Sequence, residues 1–216
     1  MLKALLSLFL QNPCPICQRS SSELLCLDCQ RRIQACQRPQ PDQFWQGELP
    51  RFIGGTYDGA LKRAIAALKY DGHQELGAFL GRQLAEQWLQ TPALATWKRL
   101  TVIPIPLHPH KQRSRGFNQA ELIAQGFCQI TGFSLKSQGL IRVKETQPLF
   151  TMTPAQRRQH IRQAIRVNPQ ISRFSAPILL IDDIYTTGAT ALEAKRALET
   201  QGYSLIGIAA IASPSS

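Results

Sequence analysis

Two stretches of this chain are apolar without alternation: residues 178–184, ILLIDDI, and residues 204–212, SLIGIAAIA. A half-buried strand would alternate apolar with polar, and an amphipathic helix would repeat every three to four residues. An unbroken aliphatic run reads instead as a strand buried on both faces. Such strands occur where helices cover both sides of a parallel sheet. Residues 100–107, LTVIPIPL, read as a third buried strand, broken at its far end by Pro104 and Pro106. Helical spacing falls between these runs. Ala60, Leu61, Ala64, Ile65 and Leu68 mark one helix, ended by KYDG, and Leu76, Phe79, Leu80 and Leu84 mark a second. GFNQAELIAQGFCQI reads as a third, with Asn118 as N-cap and Glu121 three residues on. Thr153, Pro154 and Gln156 form a further helix start, and another helix runs from about Ala191 to Gly202. Buried strands alternating with helices predict an α/β fold with a parallel sheet, whose ligands lie at the carboxyl ends of the strands.

At 216 residues and 44% hydrophobic, the chain has room for one full domain and a small appendage. The expected division is an N-terminal helix and cysteine module at 1–36, a Pro/Gln-rich linker at 37–50, and the α/β domain at 51–216. No apolar run approaches the roughly 18 residues of a membrane helix, so no span is expected. The opening MLKALLSLFL lacks a small-x-small cleavage site and runs directly into NPCPIC. It reads as an anchoring helix and not a signal peptide, which predicts a cytoplasmic chain with free or metal-bound cysteines.

Cys14-Pro-Ile-Cys17 and Cys26-Leu-Asp-Cys29 are two C-x-x-C knuckles. A two-residue gap lets a tight turn aim both sulfurs at one point, and two such turns close a four-thiolate zinc site. Four thiolates leave no open coordination position, so this zinc would fold the module and not catalyse. Cys36 could substitute as a ligand but reads as a spare, and Cys128 reads as a small core residue.

Net charge is +11, and all of it is local. Residues 98–173 hold 13 Lys and Arg against Glu121 and Glu145, while the remainder balances. A local excess implies a polyanionic partner, nucleic acid or a phosphorylated small molecule.

The most informative segment is ILLIDDIYTTGAT, residues 178–190. A buried strand delivers Asp182 and Asp183 to the carboxyl edge of the sheet, where two adjacent carboxylates need a partner. Ribose hydroxyls or Mg²⁺ would serve. The loop that follows offers Thr hydroxyls, a Gly that admits close backbone approach, and the free amides of a helix start, which together make a phosphate cradle. Thr190 with Glu193 also fits a capping box, which accounts for Thr190 but not for the acids or for Thr186 and Thr187. A Walker P-loop is excluded, since no G-x-x-x-x-G-K-[ST] occurs.

This segment resembles the phosphoribosyl-pyrophosphate (PRPP) signature of type I phosphoribosyltransferases. The resemblance implies that Asp182 and Asp183 hold the ribose hydroxyls. Thr186, Thr187, Gly188, Ala189 and Thr190 would wrap the 5′-phosphate, and Mg²⁺ would bridge pyrophosphate and ribose oxygens. The whole succession is more specific. A four-cysteine knuckle, Tyr57-Asp58-Gly59 with Leu68-Lys69-Tyr70, VIPIPLHPHKQRSRGFNQAE and the PRPP segment resemble, in order and over nearly the whole chain, the ComF family of competence-associated, amidophosphoribosyltransferase-like proteins. That likeness implies a type I phosphoribosyltransferase fold. Pro104 to His108 would be the pyrophosphate-contacting turn, with Pro106, Leu107 and His108 its PRPP-binding residues. Arg113, Arg115, Gly116, Phe117, Asn118 and Gln119 would form an R-x-R-G-F-N-Q element, and residues 142–163 a loop closing over PRPP. Arg113, Arg115, Thr146 and Arg157 are the candidate catalytic residues. A role in DNA uptake and a competence helicase partner are implied on the same basis. The closing loop departs from the family pattern: Leu149, His160 and Ile165 stand where it has Gln, Asn and Phe.

Two function classes follow. One is transfer of a phosphoribosyl group to an unidentified acceptor with release of pyrophosphate. The other is a DNA-processing accessory whose site is vestigial or senses PRPP. The cations between Arg142 and Arg173 exceed what one phosphate cluster needs, which predicts weak, sequence-tolerant binding to single-stranded DNA.

Overall fold

The structure is a computed structural model that describes residues 12–143, 163–171 and 173–215. The expected helices at 1–10 and from Thr153, and the loop positions Thr146, Leu149, Arg157 and His160, lie outside the described residues. A ribbon of Asn12–Pro13 (β1) and Ser20–Ser21 (β2) leads into the helix Leu27–Gln34 (α1). Next come Arg51–Thr56 (β3), Gly59–Tyr70 (α2), Glu75–Gln90 (α3), Pro92–Ala95 (α4) and Thr101–Pro104 (β4). They are followed by Pro109–Arg115 (α5), Gln119–Thr131 (α6), Ser134–Leu135 (β5), Leu140–Arg142 (β6) and Ile165–Val167 (β7). Ile178–Ile184 (β8), Ala189–Thr200 (α7) and Leu205–Ser213 (β9) complete the described chain.

Five strands form one sheet in the order β3-β9-β8-β4-β5, every pair parallel, and β6 pairs antiparallel with β7 as a separate ribbon. The non-alternating runs have a direct explanation. On β8, Leu179 and Ile181 pack with Leu76, Leu80, Leu84 and Phe127 of α3 and α6. Ile178 and Leu180 face the other way, onto Ala191, Ala194 and Leu198 of α7 and Leu140 and Ile165 of the β6–β7 ribbon. Successive side chains leave a strand on opposite faces, so covering both faces demands apolar residues at both parities. Among the described residues, no helix is long and apolar enough to cross a membrane.

Several boundaries differ from expectation. The strand foreseen over 100–107 stops at Pro104, although the Ile105 amide still donates to the Ile181 carbonyl at 2.8 Å. The helix after the Thr loop begins at Ala189. Helix α5, PHKQRSR, was not expected, because its turn carries no apolar repeat and buries no residue. Strand β3, RFIGGT, was also unforeseen, since Gly54 and Gly55 interrupt any pattern. A side chain at Gly55 would meet Leu61 at 2.6 Å and the Cys36 carbonyl at 2.9 Å. Residues 37–50, expected as a linker, lie along β3: Arg38 donates to the Gly54 carbonyl and Ile53 to the Pro41 carbonyl. The cysteine module joins the same buried cluster, with Leu25 and Ile33 packed among residues that include Leu61 and Leu84.

Helices α3 and α6 approach through glycine. A Cβ at Gly81 would lie 2.0 Å from the Ile123 carbonyl oxygen, and one at Gly126 would lie 2.2 Å from that of Ala78. Helix propensity alone favours Gly81→Ala by about 1 kcal/mol. Because the clash is with backbone, we expect a net loss of about 1–3 kcal/mol instead, read as a lower midpoint in urea unfolding with an unchanged slope.

Candidate functional site

The sheet reverses its winding between β4 and β8. From β4 the chain moves outward to β5, whereas from β8 it moves the opposite way to β9. In open parallel sheets the crevice at such a reversal, beyond the carboxyl ends, is where ligands bind. The turn after β4 and the loop after β8 both open there, so the fold brings Pro106, Leu107 and His108 to the same edge as residues 182–190.

Asn118 secures the first of these segments. Its side-chain oxygen accepts from the Ala120 amide at 3.1 Å, capping α6 as expected, and its amide nitrogen donates to the Ile105 carbonyl at 3.1 Å. Phe117, Asn118 and Gln119 are buried, whereas Arg113 is exposed. Arg115 donates to the side-chain oxygen of Gln119 and lies over the ring of Tyr70, 5.8 Å from its centroid. The R-x-R-G-F-N-Q element thus divides into a buried framework and one arginine free to meet solvent. A cavity of about 170 Å³ adjoins the turn, lined by Pro106, Leu107, Pro109, Asn118, Glu121 and Arg142 among others.

The acids at the end of β8 divide between the two faces of the sheet. Asp183 shares the parity of Leu179 and Ile181, faces α2, and pairs with Lys69, both groups being largely buried. Burial opposes the Lys69 charge, but the Asp183 carboxylate outweighs it and holds the ammonium above its ordinary range. Asp182 has the opposite parity. Desolvation, then the neighbouring charge of Asp183, pushes its carboxyl well above the usual range. Desolvation lowers the Arg142 pKa, and the field of Asp182 offsets this only in part. One oxygen of each acid folds back on the backbone, accepting from the next amide at 2.8 Å for Asp182 and 2.7 Å for Asp183. Beyond the ribose hydroxyls or Mg²⁺ expected for the pair, Asp183 thus has a protein partner, Lys69. The sequence held no local sign of this contact, since Lys69 closes a helix far from residue 183 in the chain.

The loop after β8 is exposed at Thr186 and Thr187 and buried at Gly188. Gly188 is the N-cap of α7 with φ 71°, and no side chain caps the helix. The capping-box alternative for Thr190 and Glu193 fails, because Glu193 instead accepts from the Gln163 amide. Among the described residues, the amides of Thr186, Thr187 and Gly188 make no backbone hydrogen bond. Those of Ala189, Thr190 and Ala191 are the unpaired donors of a first helical turn. Six consecutive amides are thus available to an anion. The loop is braced from behind: the Tyr185 hydroxyl occupies the space a side chain at 188 would need, and Arg51 stacks between the rings of Tyr185 and Phe44, at 5.3 and 4.7 Å.

Away from this edge, the sulfurs of Cys14, Cys17, Cys26 and Cys29 all lie within 4.8 Å of one another and can hold a metal ion. The sulfurs of Cys17 and Cys26 are 3.5 Å apart. That is far beyond a disulfide bond and near the roughly 3.8 Å edge of a tetrahedron with bonds of about 2.3 Å. Burial opposes ionisation of Cys14, but amide hydrogen bonds bring its thiol down to about 6. Burial and the neighbouring sulfurs push Cys29 up. Cys36 stands outside the cluster, its sulfur on the Arg32 and Asp58 carbonyls. Cys128 packs on the core, and burial pushes its thiol up to about 12.

No family model matches the chain. It is 31% identical over 197 residues to the Competence protein ComFC of Streptococcus pneumoniae, covering 89% of this chain and 76% of that protein. It is 26% identical over 185 residues to the DNA utilization protein YhgH of Salmonella typhimurium, covering 84% and 76%. Similarity to the Competence protein F of Haemophilus influenzae is 30% over 102 residues, covering 47% and 44%. Among solved structures, Leishmania donovani UMP synthase overlaps 71% of this chain and 23% of that one, with 16% identity and a TM-score of 0.30.

Two substitutions test the division of the acid pair. Lys69→Met leaves a buried carboxylate uncompensated and should cost about 3–5 kcal/mol, most of it recovered by adding Asp183→Asn. Asp182→Asn should act oppositely. Because folding raises the Asp182 pKa, its ionised form destabilises the native state, an effect absent below the ordinary value near 4 and growing as pH rises. Thermal melts from pH 4 to 8 should show Asp182→Asn gaining on the parent as pH increases.

Proposed function

The chain belongs to the ComF family of competence proteins, and on that premise we propose that it binds PRPP with Mg²⁺ at the β4–β8 crevice as a phosphoribosyltransferase-like protein serving DNA uptake. The observation that carries this reading is the row of six free amides beside an acid whose ionisation is costly. One end of the site is made for a phosphate and the other for hydroxyl donors or a cation. The amides of residues 186–191 hold the 5′-phosphate, aided by the dipole of α7. Asp182 and Asp183 accept from the ribose hydroxyls, and the turn at Pro106, Leu107 and His108 meets the pyrophosphate. Mg²⁺ takes one or two carboxylates and fills its shell with substrate phosphates, and the free oxygen of Asp182 suits that habit. When bound, the ion would neutralise charge building on the departing pyrophosphate. In transfer, the bond between ribose C1 and pyrophosphate breaks as an acceptor nucleophile bonds to C1. Arg115, held by Gln119, is a candidate to steady the leaving group.

A second reading keeps the ligand and drops the reaction: a DNA-handling accessory that senses PRPP. The local charge excess and relatives named for DNA utilization favour it. PRPP turnover with candidate acceptors separates the two. In both, the four cysteines hold a structural zinc, which would supply folding free energy to a module with little core of its own.

PRPP with Mg²⁺, at about 100 times its Kd, should stabilise the chain by about 2.7 kcal/mol, a rise in Tm of roughly 5–10 °C. Asp182→Asn, which keeps the Lys69–Asp183 pair, should melt no lower than the parent yet lose that rise. A variant that keeps the full shift would place PRPP elsewhere. Freshly prepared, reduced protein should carry one zinc per chain by elemental analysis, and Cys14→Ser or Cys26→Ser should lose both metal and solubility.

A further inference from the structure

At the opposite edge of the sheet, the amino ends of β4, β5 and β8 enclose a polar cleft of about 270 Å³. Four cations line it: Lys98 and Arg99 before β4, Lys136 at the end of β5, and Arg173 before β8. No carboxylate lines it, and none of the four makes an ion pair among the described residues. These are four of the nine described cations in the basic stretch 98–173. Like charges gathered at one cleft raise the local positive potential and draw anions to it. The carboxyl end of α6 lies at the rim, at Gly132, but a helix terminus carries only about half a charge and accounts for one cation at most.

We propose that this cleft is a phosphate-binding track for a single nucleic-acid strand, separate from the crevice at the carboxyl edge. The inference rests on the nucleic-acid reading above and adds its location. Two features favour a strand over a small phosphorylated ligand. The cations are mostly exposed and approach from three separate loops, which suits successive phosphates along a backbone. No carboxylate is present to hold a sugar. The rings at the cleft are engaged: Phe133 is buried, and Phe174 packs against Tyr203 at 4.8 Å. With no open ring face to stack a base, binding is electrostatic and indifferent to sequence. Strand β8 runs seven residues between this edge and the other, roughly 20 Å, so the two ligands do not share a mouth.

The test is fluorescence anisotropy of a labelled oligo-dT of about twelve nucleotides against the full chain, from 50 to 200 mM salt. Four phosphate contacts give a slope of log affinity against log salt near −3. Lys98→Ala with Arg99→Ala, both exposed and unpaired, should leave Tm unchanged, weaken binding at 50 mM at least tenfold and flatten the slope by about 1.4. Lys62→Ala with Arg63→Ala, exposed on α2, should change neither. If the parent binds and the cleft pair binds equally well, the location is wrong while the nucleic-acid reading stands. If the parent does not bind at 50 mM, both fall. If a trinucleotide displaces the longer strand at equal concentration, the cleft is a small-ligand pocket and the strand assignment is overturned.

Discussion

Strand β8 has helix or ribbon on each side along its whole length, so the two acids at its end leave on opposite faces. That constraint organises the candidate site. Asp183 inherits the environment of Leu179 and Ile181 and meets a lysine from α2. Asp182 inherits the environment of Leu180 and faces the β6 side, where Arg142 lies within its field. The site therefore contains one acid already answered by the protein and one whose ionisation the fold opposes. The second has the more binding free energy to offer an incoming cation or hydroxyl pair, while the first also fixes the end of α2 to the end of β8.

The parallel order β3-β9-β8-β4-β5 assigns chemistry to the two edges. The carboxyl edge has a winding reversal, a first-turn row of free amides and the acids. The amino edge has a cleft lined by four cations that make no ion pair among the described residues. One suits a ligand gripped at defined points, the other a ligand held by charge alone. The cysteine module packs with α2 and α3, so a metal there bears on the fold.

Legibility in the sequence followed the range of the interactions. The buried strands 178–184 and 205–213 were readable because double-sided burial leaves its mark residue by residue. The cysteine cluster was readable because two-residue turns bring sulfurs together locally. Asn118 as a cap was readable for the same reason, although its second bond, to the Ile105 carbonyl, was not. Strand β3 escaped notice because Gly54 and Gly55 serve close packing and erase the hydrophobic pattern. Helix α5 escaped because a polar turn with no buried face has no period to detect. Lys69 stands in the Leu68-Lys69-Tyr70 segment with no legible role, since its partner is set by the packing of α2 on β8. The amino-edge cleft had only its total charge in the sequence; that three loops gather four cations is a product of strand order.

The stack of Phe44, Arg51 and Tyr185 behind Gly188 has a consequence for binding thermodynamics. A loop whose backbone is already pinned by rings and a guanidinium loses little conformational freedom when an anion arrives. Its affinity is then governed by how readily the six amides shed their water, and an anion should meet them in the arrangement they already hold.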